Sequence, residues 1–151
     1  MNTKESFLEY LKSGGLPELF NLPNDETKRH YLSAIKDTVL LHDIIQRYNI
    51  KDIRLLEDLF SFLVNNASNL ISISNIVKYF AGKNRKTNYE TVANYIGYLQ
   101  TSFLVHQVDR FSIKGKEVLA GTHKYYINDL AFKNYLYAGF EYGYGYMLEN
   151  I

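Results

Sequence analysis

Apolar positions fall at helical spacing through the first hundred residues and then change period. SFLEYLKSGGLPELF reads as a short helix stopped at Gly14-Gly15, with Pro17 holding Leu16 extended. After the polar stretch NLPNDETK, the run from His30 to Gln46 sets Tyr31, Ile35, Val39 and Ile45 along one broad apolar side, predicting a long helix that breaks at RYNIKD. A second helix is predicted from Arg54 to about Asn66, carrying Leu55, Leu56, Leu59, Phe60 and Leu63. A short one starts near Ser72 or Ser74 and ends at Gly82. Thr87 and Glu90 have the spacing of a reciprocal cap, so a further helix is predicted from near Asn88 to Ser102.

From Leu104 the sequence alternates. LVHQVDRFSI and the segment ending HKYYIND read as two strands, with Lys114-Gly115-Lys116 as the turn between them. Three helices followed by a β-ribbon make the plan of a winged helix-turn-helix. The expected fold class is therefore mainly α with a small β-ribbon: a helical lead-in over 1–50 and a winged-helix domain over 51–128. Residues 129–151 read as the start of a further, truncated domain, with a helix from Asp129 and another beginning as the chain ends.

The 151 residues suffice for one core of ordinary size, and 46% apolar with 22% charged residues describes a globular chain. The absence of cysteine excludes disulfides, thiolate zinc sites and cysteine nucleophiles. The histidines, His30, His42, His106 and His123, nowhere adopt the spacing that puts two imidazoles on one helical face, so no metal ligands are assigned. Gly82-Lys83-Asn84 and Gly115-Lys116-Glu117 lack the surrounding residues of a phosphate-binding loop, and no nucleophile elbow is present, so no catalytic residue is assigned either. The opening MNTKESFLEY carries charges where a signal peptide is apolar, and no run approaches about 20 apolar residues, which points to the cytoplasm and away from the membrane.

The formal charge of +1 hides a local bias: between Lys78 and Lys124 there are eight basic residues against three acidic ones. Lys83, Arg85 and Lys86 precede the predicted recognition helix, and Arg110, Lys114 and Lys116 lie on the predicted wing, the two places where winged domains approach DNA phosphates. Asn88, Tyr89 and Asn94 are candidate base or sugar contacts on the helix, whose body lacks Arg and Lys. That pattern favours backbone contact with double-stranded DNA, and solvated surface remains the competing reading. The fourteen tyrosines, crowded toward the end, suit packing or an interdomain contact better than base stacking.

The ordered set YLKSGGLPEL, YLSAIKDTVLLHDIIQRYNIKD, LFSFLVNNASNLISISNIVKYF, TVANYIGYLQTSFLVHQVDRF, KYYINDLAF and GYMLENI resembles the region that follows the ATPase core in bacterial and archaeal P-loop ATPases of the AAA+ superfamily, the region known as domain of unknown function 4143. The resemblance spans nearly the whole chain. It implies an N-terminal module, outside this chain, that binds ATP and Mg, and a nuclease-like fold that follows. It also implies that Gly14, Gly15, Pro17 and Glu18 close the ATPase lid, and that Glu149, in its Glu-Asn pair with Asn150, is the first acid of an incomplete nuclease site. Leu16 and Ala131 depart from the Phe and Gly usual in that family. Two functions remain open: a non-catalytic accessory module of an ATPase touching DNA phosphates, or a scaffold joining the ATPase module to the nuclease-like domain or to a second subunit by self-association. No cofactor is expected on this chain itself.

Overall fold

A computed structural model describes residues 3–115, 117–137 and 144–151. It is mostly helical, with a small open sheet. Helix α1 (Thr3–Ser13) ends where Gly14 turns left-handed at φ +74°, and α2 (Pro17–Asn21) begins on its proline after extended Leu16. Helix α3 (Asp25–Lys36) starts five residues earlier than the apolar period predicts. The reason is local: the Asn24 side chain accepts from Thr27 N–H at 2.9 Å and Thr27 Oγ1 accepts from Asn24 N–H at 3.4 Å, so the polar stretch winds into the first turn, where Asp25 and Glu26 suit the helix dipole. The helix continues through a π-helical stretch, Asp37–Ile44, into α4 (Ile45–Tyr48), and stops at left-handed Asn49.

Helix α5 (Ile53–Asn65), capped by Asp52 Oδ1 on Leu55 N–H at 2.9 Å, buries Leu55, Leu56, Leu59, Phe60, Leu63 and Val64. Each such side chain taken from water contributes about 2 kcal/mol, so this amphipathic helix anchors the main core. Strand β1 (Leu70–Ile71) precedes α6 (Ile73–Gly82), capped by Ser72. Then come α7 (Tyr89–Thr101), β2 (Val105–Ser112) and β3 (Glu117–Ile127). The sheet is antiparallel in the order β1-β3-β2, and the short strand β1, two residues without a readable period, was not predicted. Between Asp109 and Arg110 the register slips, because β3 bulges through Gly121 at φ +90°. Beyond that bulge the ribbon is two-stranded.

After β3 the chain turns at Asp129 into a π-helical segment, Phe132–Tyr137, and α8 (Tyr144–Glu149) follows the undescribed stretch 138–143. Residues 129–137, expected to open a further domain, contribute Ala131, Phe132 and Tyr135 to a second cluster with Leu19 and Leu32 of α2 and α3. The larger cluster runs from Leu11, Leu40 and Ile44 through α5–α7 and the sheet to Met147. Tyr125, Tyr135 and Tyr95 are packed in these clusters, in line with the packing reading of the tyrosines. Among the described residues no helix is long and apolar enough to cross a membrane.

Candidate functional site

The α6–α7 turn carries the first group of candidate phosphate contacts. Lys83 follows the last turn of α6 and Asn84 is left-handed at φ 57°, which lets Arg85 N–H donate to Phe80 O at 2.9 Å and folds the turn back on its own helix. The consequence is that two of the three cations are used within the molecule. Arg85 Nη1 pairs with Asp58 of α5, and Lys83 Nζ stands 4.8 Å above the Tyr79 ring. Hydrogen bonding to Tyr79 raises the pKa of the Lys83 ammonium. Lys86 is exposed. The reciprocal cap expected of Thr87 and Glu90 does not form; the cap is Asn88, whose Oδ1 accepts from Thr91 N–H at 2.8 Å, while Thr87 Oγ1 is buried without a hydrogen-bond partner among the described residues. Asn88 therefore has its carbonyl oxygen engaged, whereas Tyr89 and Asn94 are exposed. Glu90, Asn94, Gly97 and Thr101 share one outward stripe of α7, polar or small and without a basic side chain.

On the ribbon, Arg110 and Lys114 are exposed, and Lys116 lies outside the described residues. The same ribbon exposes Val108 at 49%, Phe111 at 58% and Ile113 at 85%. Its inner face, continuous with the core positions Val105, Tyr125 and Ile127, carries Asp109 opposite His123. Their side chains meet at 2.8 Å, and Gln107 Nε2 donates to Asp109 at 3.3 Å. Hydrogen bonds from His123 and Gln107 hold the Asp109 carboxyl below its usual range. His106 does not face His123; it lies on the other face, 3.3 Å from Asn128 Oδ1.

Glu149 sits on α8 against the outer face of the sheet, paired with Lys124. That hydrogen bond lowers the Glu149 pKa and raises the Lys124 pKa, so the geometry is a cation–carboxylate pair. Among the described residues, no three His, Cys, Asp or Glu side chains gather closely enough to hold a metal ion.

Sequence reasoning missed a polar lock between the chain's first and last parts. The Asp129 carboxylate accepts from Gly15 N–H at 2.7 Å and Ala131 N–H at 2.8 Å, and also from Leu16 N–H. Burial raises its pKa against those hydrogen bonds. Asn134 Nδ2 donates to Leu11 O and Lys12 O, both at 2.9 Å, closing the end of α1, and Arg29 Nε donates to Tyr135 O at 3.1 Å. Lys133 is fully buried, its ammonium directed at Val64 O and Asn65 O at the end of α5, and burial pushes its pKa down to about 8. The available signal was the doubled glycine: one suffices to stop a helix, and the second invites a backbone contact.

A family model described as a domain of unknown function (DUF8612) matches residues 4–142. The chain belongs to this family. An uncharacterized protein of Haemophilus influenzae is 30% identical over 145 residues, covering 96% of this chain and 36% of that protein. An uncharacterized protein of Methanocaldococcus jannaschii is 29% identical over 110 residues, covering 73% of this chain and 25% of that protein. The chain thus spans between a quarter and about a third of the length of these relatives. No solved structure matches it. The DUF8612 match takes in the α6–α7 turn, the ribbon and the Asp129 lock, and stops short of α8 with Glu149.

Proposed function

We propose that this chain is the winged-helix accessory region of a cytoplasmic P-loop ATPase of the AAA+ superfamily, and that its wing is a protein-docking element joining the ATPase module to a nuclease-like domain or to a second subunit. The motif order given above supports the ATPase assignment. The winged-helix reading is supported by the succession α5, β1, α6, α7, β2, β3 and the sheet order β1-β3-β2. The observation that carries the docking role is the chemistry of the ribbon beyond the bulge, where Phe111 and Ile113 stand exposed two residues apart. Grouped apolar surface on a projecting element is characteristic of a contact with another protein surface. On this reading ATP and Mg belong to the partner module, and Asp129 fixes the lead-in helices relative to the segment leaving the wing.

Contact with DNA phosphates is the second reading, favoured by the exposed Lys86, Arg110 and Lys114. One experiment separates the two. The chain is titrated with the purified ATPase module, and separately with a labelled random duplex at about 50 and about 200 mM salt. Docking predicts module binding that Phe111→Asp/Ile113→Asp abolishes without unfolding the chain. DNA contact predicts duplex binding that weakens with salt and is lost on neutralising Lys86, Arg110 and Lys114. A folded chain that binds neither the module nor another copy of itself refutes the docking function.

A further inference from the structure

We propose that the groove between α5 and α6 is a binding site for a small aromatic oxyanion, with the ligand's ring lying on Tyr79 and its anionic group held between Lys83 and Arg85. This site is separate from the wing and does not depend on its function. The α5 wall presents Asp58, Ser61, Phe62 and Asn65, at the i, i+3, i+4, i+7 spacing that puts them on one face. The α6 wall presents Tyr79 and Lys83 one turn apart, and the tight turn at Asn84 brings Arg85 back over the mouth. The cavity they enclose measures about 410 Å³, the scale of a small-molecule site.

The chemistry of the walls selects the ligand. Two cations meet a single carboxylate, so the groove is net positive and short of one anion. Arg85 is three-quarters covered and fixed in place, whereas Asp58 is 58% exposed and can swing into solvent when a better oxyanion arrives. Guanidinium offers five donors in a planar fork, which suits a phosphoryl or carboxylate group with two free oxygens. Lys83 already stands 4.8 Å above the Tyr79 ring, so an anion it binds lies close to that ring. Tyr79 is 40% exposed and lies tilted against Phe62 at 4.6 Å between centroids, so part of an aromatic surface is open at the groove. Asn65 Nδ2 donates to Ser61 Oγ at 3.4 Å, a long hydrogen bond on an exposed face that a ligand oxygen can replace.

Calorimetric titration of the chain with phenyl phosphate, inorganic phosphate and phenol tests the site. Phenyl phosphate is expected to bind saturably, about tenfold more tightly than either fragment. Arg85→Ala and Tyr79→Leu each weaken it, and Asp58→Asn tightens it by removing the competing carboxylate. The last variant keeps the test decisive if Arg85→Ala fails to fold. Equal affinity for phenyl phosphate and inorganic phosphate, no saturable binding, or weaker binding in Asp58→Asn overturns the proposal.

Discussion

Replacing Gly14 by alanine puts the lock between the two ends of the chain to a quantitative test. At φ +74°, a residue with a Cβ costs about 1–2 kcal/mol on backbone grounds alone. The added carbon falls 1.8 Å from Asp129 Oδ1 and 2.7 Å from its Cγ, with Ala131 Cβ at 3.0 Å behind, so the carboxylate has to leave its seat. Leaving strips the acceptor from the N–H groups of Gly15 and Ala131, which it holds at 2.7 and 2.8 Å, at about 1–3 kcal/mol for the part-buried Ala131 donor and about 1 kcal/mol for the exposed Gly15 donor, which water reaches. The expected loss is therefore about 4 kcal/mol, a large part of the ~5–15 kcal/mol that stabilises a typical domain. Urea unfolding reads it as a midpoint lowered by about 2 M. A double-mutant cycle isolates the cause: with Asp129→Ala in place the collision disappears, and Gly14→Ala costs only its backbone part. The two substitutions should therefore couple by about 2 kcal/mol. A Gly14→Ala loss under about 1 kcal/mol, or a strictly additive cycle, refutes the account.

Lys133 supplies a pH prediction. Burial pushes its pKa down from 10.5 to about 8, so between those values the unfolded chain holds the proton that the folded chain has released. Stability relative to Lys133→Met then rises with pH across that window, and parallel curves for the two proteins from denaturation at pH 7.5–10 would refute it. Tyr125 is fully buried, its hydroxyl without a partner among the described residues and its pKa pushed up to about 12 by burial, so Tyr125→Phe is expected to match or exceed the parent stability by up to about 1 kcal/mol in thermal unfolding. A clear loss there means that the hydroxyl has a partner. Asn88→Ala removes the α7 cap and should cost about 1 kcal/mol, whereas Thr87→Ala should cost less, the reverse of what the Thr87–Glu90 spacing suggests.

Helices α5, α6 and α7 were legible in sequence because each carries an apolar stripe of helical period bounded by a capping residue. Their boundaries came within about one or two residues, as local chemistry decides them. The start of α3 was not legible, since its first turn is polar and is held by Asn24 and Thr27 rather than by core packing. Strand β1 was hidden for another reason: Leu70 and Ile71 are a strand only because His123 and Lys124 lie opposite, and two residues define no period. The Asp129 lock joins positions 114 residues apart. Nothing local in Gly14-Gly15 names its partner.

The same limit governs the reading of charge. Along the chain, the segment from Lys78 to Lys124 holds a surplus of five positive charges, and a linear count treats all of them as available. Folding redistributes them: Asp58, far upstream, meets Arg85, and Glu149, far downstream, meets Lys124, while Tyr79 engages Lys83. Both acids lie outside the counted segment, so the surplus was overstated because its counter-charges arrive from elsewhere in the fold. What projects on and beside the wing is Lys86, Arg110 and Lys114 among exposed Val108, Phe111 and Ile113, with Asp109 on the inner face. Phosphate binding draws on the number of cations that displace counterions, and among the described residues Lys78, Lys86, Arg110 and Lys114 are the exposed cations of that segment outside these three contacts. Apolar side chains lose nothing to salt and gain from every surface that covers them. The docking proposal accordingly predicts a flat response of the ribbon's binding to ionic strength, and a steep fall with salt would instead favour the phosphate contact.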